Sequence, residues 1–224
     1  MKILYIMDPY CKWCYATSDA VLQLFDTLEG KLPFEVIPAG MLAGEFTQVQ
    51  SPENAFAHRK LDASITKETG KEFGEGYKAA LNEKEMLLDS LVPSRAIMAC
   101  RAIAPQLALQ FTHHILHARY KDGKDLTDDT VYLEICEQLG IDKPTFFQHF
   151  SSPENDENTR QAFLFAEKYA EHYPTLIYEE EGEMDILTEG FSPYSLLELR
   201  LSKILKRRKT NVQDKTLVMS NPEH

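Results

Sequence analysis

Cysteine is scarce, with 4 in 224 residues, too few to frame a secreted scaffold with disulfides. Basic residues are outnumbered: 24 Lys and Arg stand against 35 Asp and Glu, a formal net charge of −11. That balance argues against a nucleic-acid partner or an anionic membrane surface. No apolar run reaches membrane-spanning length, and the opening MKILYIMD is too short for a signal-peptide core. The expectation is a soluble cytoplasmic chain whose thiols are mostly free. With 43% apolar and 26% charged residues, it is large enough to bury a core without staples.

Two of the four cysteines nevertheless stand three apart, in DPYCKWCYAT, residues 8–17. Before them KILYIM, residues 2–7, reads as a buried strand that ends at Asp8-Pro9. After them SDAVLQLFDTLEG places Ala20, Val21, Leu24, Phe25 and Leu28 on one helical face and stops at Gly30. PFEVIPAG, residues 33–40, is a second strand, which makes a βαβ unit with the cysteine pair at the N-terminus of its helix.

From about Ser51 to Ala170 the apolar residues recur at helical spacing. Ser51-Pro52 and the matching Ser152-Pro153 read as two similar helix starts, Pro105 as a kink or boundary, and Gly140 as a stop. Strand patterns return at 175–178 and 184–188 around Gly182, a hairpin signal. SPYSLLELRLSKILKRRK then reads as an amphipathic helix capped at Ser192-Pro193.

The order βαβ, helical block, ββα, with CxxC closing the first strand, resembles the thioredoxin fold. The helical block resembles the DsbA-like branch of that fold. DPYCKWC, PFEVIPAG, DGKDLTDDTV, YPTLIY and GFSPYSLLELRL are similar to a bacterial cytoplasmic group of DsbA-like proteins described as predicted protein-disulfide isomerases, over roughly residues 1–205. The resemblance implies an α/β, thioredoxin-like fold formed by residues 1–44 and 171–207, a helical insertion at 45–170 and a flexible tail at 208–224. It also implies a cis Tyr173–Pro174 bond facing the cysteines, with Tyr173 and Thr175 flanking a substrate groove. Thr175 would offer backbone groups to an extended peptide. Lys12 and Trp13 replace the Pro-His of the best-known oxidising member, so that member's oxidising power is not carried over.

Thiol–disulfide exchange needs a thiolate, and a free cysteine is largely protonated at neutral pH. A sulfur at a helix N-terminus meets unpaired N–H groups and the positive end of the macrodipole, which favour the anion. Cys11 is therefore the expected nucleophile, and Cys14, one turn in and more sheltered, the resolving thiol. Lys12 could add positive charge beside the sulfur, although its stem more often leaves the ammonium in water. Trp13, the only tryptophan, is either a flat half-exposed platform for a peptide or organic thiol, or packing under the helix. Asp8 could relay a proton to the pair; an Asx-type cap of the turn is the simpler reading.

No metal is expected. Cys100 and Cys136 read as small buried side chains, and His113 and His117, spaced four apart, have no third ligand evident in the sequence. Two rivals keep the fold: a glutathione-dependent transferase or isomerase of the kappa class, which needs no resolving cysteine, and a non-catalytic binding module with an inert dithiol. No tightly bound cofactor is implied. The partners are thiol or disulfide substrates, with glutathione or a thioredoxin-type protein as candidate redox co-substrate, and the oligomeric state is left open.

Overall fold

The computed structural model describes residues 1–83 and 85–219. β1 (Lys2–Met7), α1 (Lys12–Thr27) and β2 (Phe34–Pro38) come first, followed by a short ribbon strand β3 (Gln48–Gln50). α2 (Ala55–Thr69) and α3 (Glu75–Glu83) precede the other ribbon strand, β4 (Met86–Leu88). The chain then runs through α4 (Leu91–Ile103), α5 (Ala108–Tyr120), α6 (Thr130–Leu139), α7 (Lys143–Phe150) and α8 (Pro153–Tyr169). It closes with β5 (Thr175–Glu180), β6 (Glu183–Glu189) and α9 (Tyr194–Met219).

The main sheet has the order β2-β1-β5-β6. β1 and β2 are parallel, whereas β5 is antiparallel to both β1 and β6. This is the thioredoxin-like α/β fold, with helices inserted between its two halves.

β1 is apolar almost throughout because both faces of the sheet are covered. Ile3, Tyr5 and Met7 join one core cluster with Val21 and Leu24 of α1, Ile115 of α5 and Leu197 of α9. Leu4 and Ile6 point the other way, into a second cluster with Met98 of α4 and Ala162 and Ala166 of α8. The alternation along one strand thus sorts the helices into two layers. The helices between the halves supply both layers and share their cores with the sheet.

Hairpin β5–β6 turns at Glu181 and Gly182, both with positive φ (54° and 83°), as the tightest antiparallel turns require. Pro105 is a boundary: α4 ends at Ile103 and a short 3-10 turn at Pro105–Leu107 leads into α5.

Two expectations need correction. Ser51 does not cap a helix; α2 starts at Ala55, and Asn54 instead accepts the Ser51 N–H and donates to the Val49 carbonyl, closing a turn against β3. The same Ser-Pro-Glu-Asn quartet at 152 does start a helix, because Asn155 turns inward to donate to the Arg95 carbonyl and leaves Ser152 free to cap its N–H. The C-terminal helix also outlasts the tail expected from residue 208, since α9 continues to Met219; residues 220–224 lie outside the described residues.

The start of α3 lies against the turn after α5. The Gly74 N–H donates to the Tyr120 carbonyl at 3.0 Å, and a Cβ on Gly74 would come 2.1 Å from the Lys121 carbonyl oxygen. Neither backbone can yield. Gly74→Ala should therefore lower the unfolding free energy by about 3 kcal/mol or more. Gly140→Ala, at a left-handed position with open space around it, should cost only about 1–2 kcal/mol. Urea unfolding of the two variants checks the ranking.

Candidate active site

β1 ends at Met7, and within four residues the chain has turned into α1. Asp8 makes that turn. Its Oδ1 accepts from the Tyr10 N–H at 2.8 Å and from the Ser90 hydroxyl at 3.0 Å, and its Oδ2 accepts from the Met41 N–H at 2.9 Å. Ser90 in turn accepts the Leu42 N–H. The Asx cap is thus present and extends further than the sequence suggests, tying the start of α1 to the loop after β2 and to the head of α4. The carboxyl is fully buried, and burial raises it to about 7, although the Tyr10, Met41 and Ser90 donors oppose the rise.

Cys11 is itself the N-cap of α1. Its backbone is extended, and its Sγ accepts the Cys14 N–H at 3.1 Å, one of the amides a helix start leaves unpaired. On its other side the Cys11 thiol donates to the Tyr173 carbonyl at 3.5 Å. Cys14 is completely buried, while Cys11 keeps 6% exposure. Burial first, then the Cys11 sulfur, pushes the Cys14 thiol well above the ordinary range. Both are free thiols.

The Tyr173–Pro174 peptide is cis. Thr175, expected to offer its backbone to a peptide, is fully buried between Ile6 and Glu189 in the ladder, with its hydroxyl donated to the His172 carbonyl. The Tyr173 carbonyl is the group from this segment that reaches the sulfur.

Cys11 opens onto a cavity of about 600 Å³ between the first turn of α1 and the inserted helices. Trp13, half-buried, stands on its lining with Tyr10, Met41, Phe46, Tyr77 and Tyr120. Tyr173, Pro174 and Thr175 do not line it.

Lys12 does line it, and here the expectation of a solvated ammonium is overturned. Lys12 is only 8% exposed, and its Nζ lies 2.6 Å from Asp62 and 3.2 Å from the His58 carbonyl. Desolvation lowers the ammonium, against the pull of Asp62. His58 is pulled down to about 4 by burial and by the charges of Lys12 and Arg119.

Arg119 was not singled out in the sequence. It is 2% exposed, bonded to Gln50 and the Met86 sulfur, and its guanidinium lies 5.3 Å from the Tyr77 ring centroid and 5.9 Å from those of Tyr10 and Tyr120. Among the described residues it makes no ion pair with a carboxylate, and its Nε has no hydrogen-bond partner. A signal was available. Thr112, Ile115, Leu116 and Arg119 share one buried face of α5, and a cation in an apolar stripe demands a partner.

Cys100 and Cys136 are buried, with their thiols pushed up to about 12 and about 11 chiefly by burial. They lie outside this site.

The model of the DSBA-like thioredoxin domain matches residues 2–170. Among solved structures, a candidate protein disulfide isomerase from Nitrosomonas europaea superposes with a TM-score of 0.80 at 22% identity, over 92% of this chain and 99% of that one. The cytosolic disulfide reductase DsbM from Pseudomonas aeruginosa gives 0.76 at 24% identity, over 93% and 99%. Its structure with GSH gives 0.70 at 24%, over 93% and 100%. No curated protein matches significantly. No described helix is long and apolar enough to cross a membrane.

Asp8 makes stability depend on pH in a defined sense. Below about pH 4 both folded and unfolded chains hold its proton. Between the ordinary 3.8 and about 7 only the folded chain does, so stability falls as pH rises through that window and levels above it. The difference in unfolding free energy between the wild type and Asp8→Asn should shrink by up to about 4 kcal/mol from pH 4 to pH 7. A pH series of urea titrations that gave a constant difference would contradict the assignment.

Proposed function

Because the chain belongs to the DsbA-like thioredoxin family, we propose that it is a dithiol–disulfide oxidoreductase or isomerase in which Cys11 attacks and Cys14 resolves. The observation that carries this reading is the placement of the two sulfurs: Cys11 caps the helix, accepts an amide and meets the cavity, while Cys14 is sealed behind it.

The Cys11 thiolate attacks one sulfur of a substrate disulfide. A Cys11–substrate disulfide forms, and the other substrate sulfur leaves as a thiolate. Cys14 then gives up its proton and attacks Cys11 Sγ, closing the Cys11–Cys14 disulfide and expelling the second substrate thiol. Two electrons pass from the pair to the substrate, and two equivalents of a small thiol restore the dithiol. Asp8, held near 7, is suited to take the Cys14 proton and return it. Lys12 serves by shaping the cavity with Asp62, and Trp13 by offering a flat apolar wall.

The cavity supports an acidic organic thiol as co-substrate. Lys12 is already matched by Asp62, which leaves Arg119 as a buried cation beside aromatic walls, suited to a carboxylate. Glutathione has this chemistry, and a relative of the same fold is known with GSH. A cytoplasmic, reducing role accords with the cytosolic assignment of that relative. The retained, buried Cys14 favours this reading over a transferase, which needs one nucleophile only.

Cys11→Ser should abolish disulfide turnover, whereas Cys14→Ser should still react once and accumulate a mixed disulfide visible by intact-mass spectrometry. Turnover that survives Cys11→Ser would remove the proposal, and a glutathione transfer reaction that survives it would favour the transferase. Arg119→Met should raise KM for reduced glutathione by roughly tenfold or more, the loss of a charge-assisted hydrogen bond, with kcat little changed. Steady-state kinetics with a glutathione-free disulfide, whose KM should stay put, controls for general damage.

A further inference from the structure

One cluster lies apart from the cavity. Asp19 is on α1, two turns beyond Cys11. His113 and His117 are one turn apart on α5, the helix packed against it. Their ligand atoms all fall within 4.8 Å of one another. Asp19 Oδ1 is 3.8 Å from His113 Nδ1 and 3.6 Å from His117 Nε2, and the imidazole centroids are 4.2 Å apart. Both nitrogens are buried and neither has a hydrogen-bond partner. Two unpaired nitrogens converging on one carboxylate oxygen call for something between them.

We propose that Asp19, His113 and His117 form a binding site for a first-row divalent cation, zinc foremost, with water in the remaining position. Imidazole and carboxylate donors suit such ions. Metal–ligand bonds of about 2.0–2.1 Å in a tetrahedron set the ligands about 3.4 Å apart. The observed 3.6 and 3.8 Å need to close by only a few tenths of an ångström. Asp19 is half exposed, which leaves room for the water. Lys71 holds the other carboxylate oxygen, Oδ2, at 2.5 Å. It orients Asp19 and leaves Oδ1 for the ion, an outer-shell role, while its charge moderates the affinity. An ion here would pin the cysteine-bearing helix to α5.

The test uses the full chain with Cys11→Ser and Cys14→Ser, so that the dithiol takes up no metal. Titrated with Co²⁺, it should develop a visible d–d spectrum without a thiolate charge-transfer band, saturating at one equivalent and lost when Zn²⁺ is added. His117→Ala and Asp19→Asn should each weaken binding by at least about tenfold, with the circular dichroism spectrum unchanged. If His117→Ala fails to fold, His113→Gln gives the same reading. The absence of a cobalt spectrum, a thiolate band pointing to Cys100 and Cys136, or uptake that these substitutions leave unchanged would each overturn the site.

Discussion

A carboxylate taken wholly out of water governs this molecule. The removal of Asp8 from solvent is costly, and hydrogen-bond donors offset part of that cost. Three donors from three separate segments meet it: Tyr10 at the start of α1, Met41 after β2 and Ser90 at the head of α4. Those segments are not adjacent in sequence, so the requirement couples the strand-to-helix turn to α4, one of the inserted helices. Cys11 sits on the element so fixed, and its amide donates to the Asp8 carbonyl at 3.0 Å. The helix cap that holds the sulfur is therefore only as rigid as the anchored turn beneath it.

The second constraint is charge inside an aromatic cavity. Lys12 and Asp62 answer each other across the gap between α1 and α2, whereas Arg119 is surrounded by tyrosine faces and amide or thioether acceptors. Such a guanidinium is held in place without being neutralised. The inserted helices thus do more than cover the sheet: they bring a fixed positive charge to the lining of the cavity that Cys11 also meets.

Much of the fold was legible because its signals are local and periodic. The apolar run of β1, the CxxC at its end, the helical face of α1, the Pro105 boundary and the Gly182 turn each follow from a few adjacent residues. The errors arose where distant partners decide. Ser51 and Ser152 open identical quartets, and only the neighbour that receives the asparagine side chain separates a turn from a helix start. Lys12 was expected in water because its acid, Asp62, lies fifty residues away. The third member of the His113–His117 group was invisible for the same reason, since Asp19 reaches it by helix packing. Ribbon strands of three residues carry too short a pattern to be read at all.

Trp13 stands between the two sulfurs and is the chain's sole indole, with one side on the core and the other on the cavity lining. Indole emission from this molecule therefore originates at a single address, next to Cys14 and two positions from Cys11. An indole so placed shares its surroundings with both sulfurs, so the cavity wall and the dithiol are read from one position without an added label.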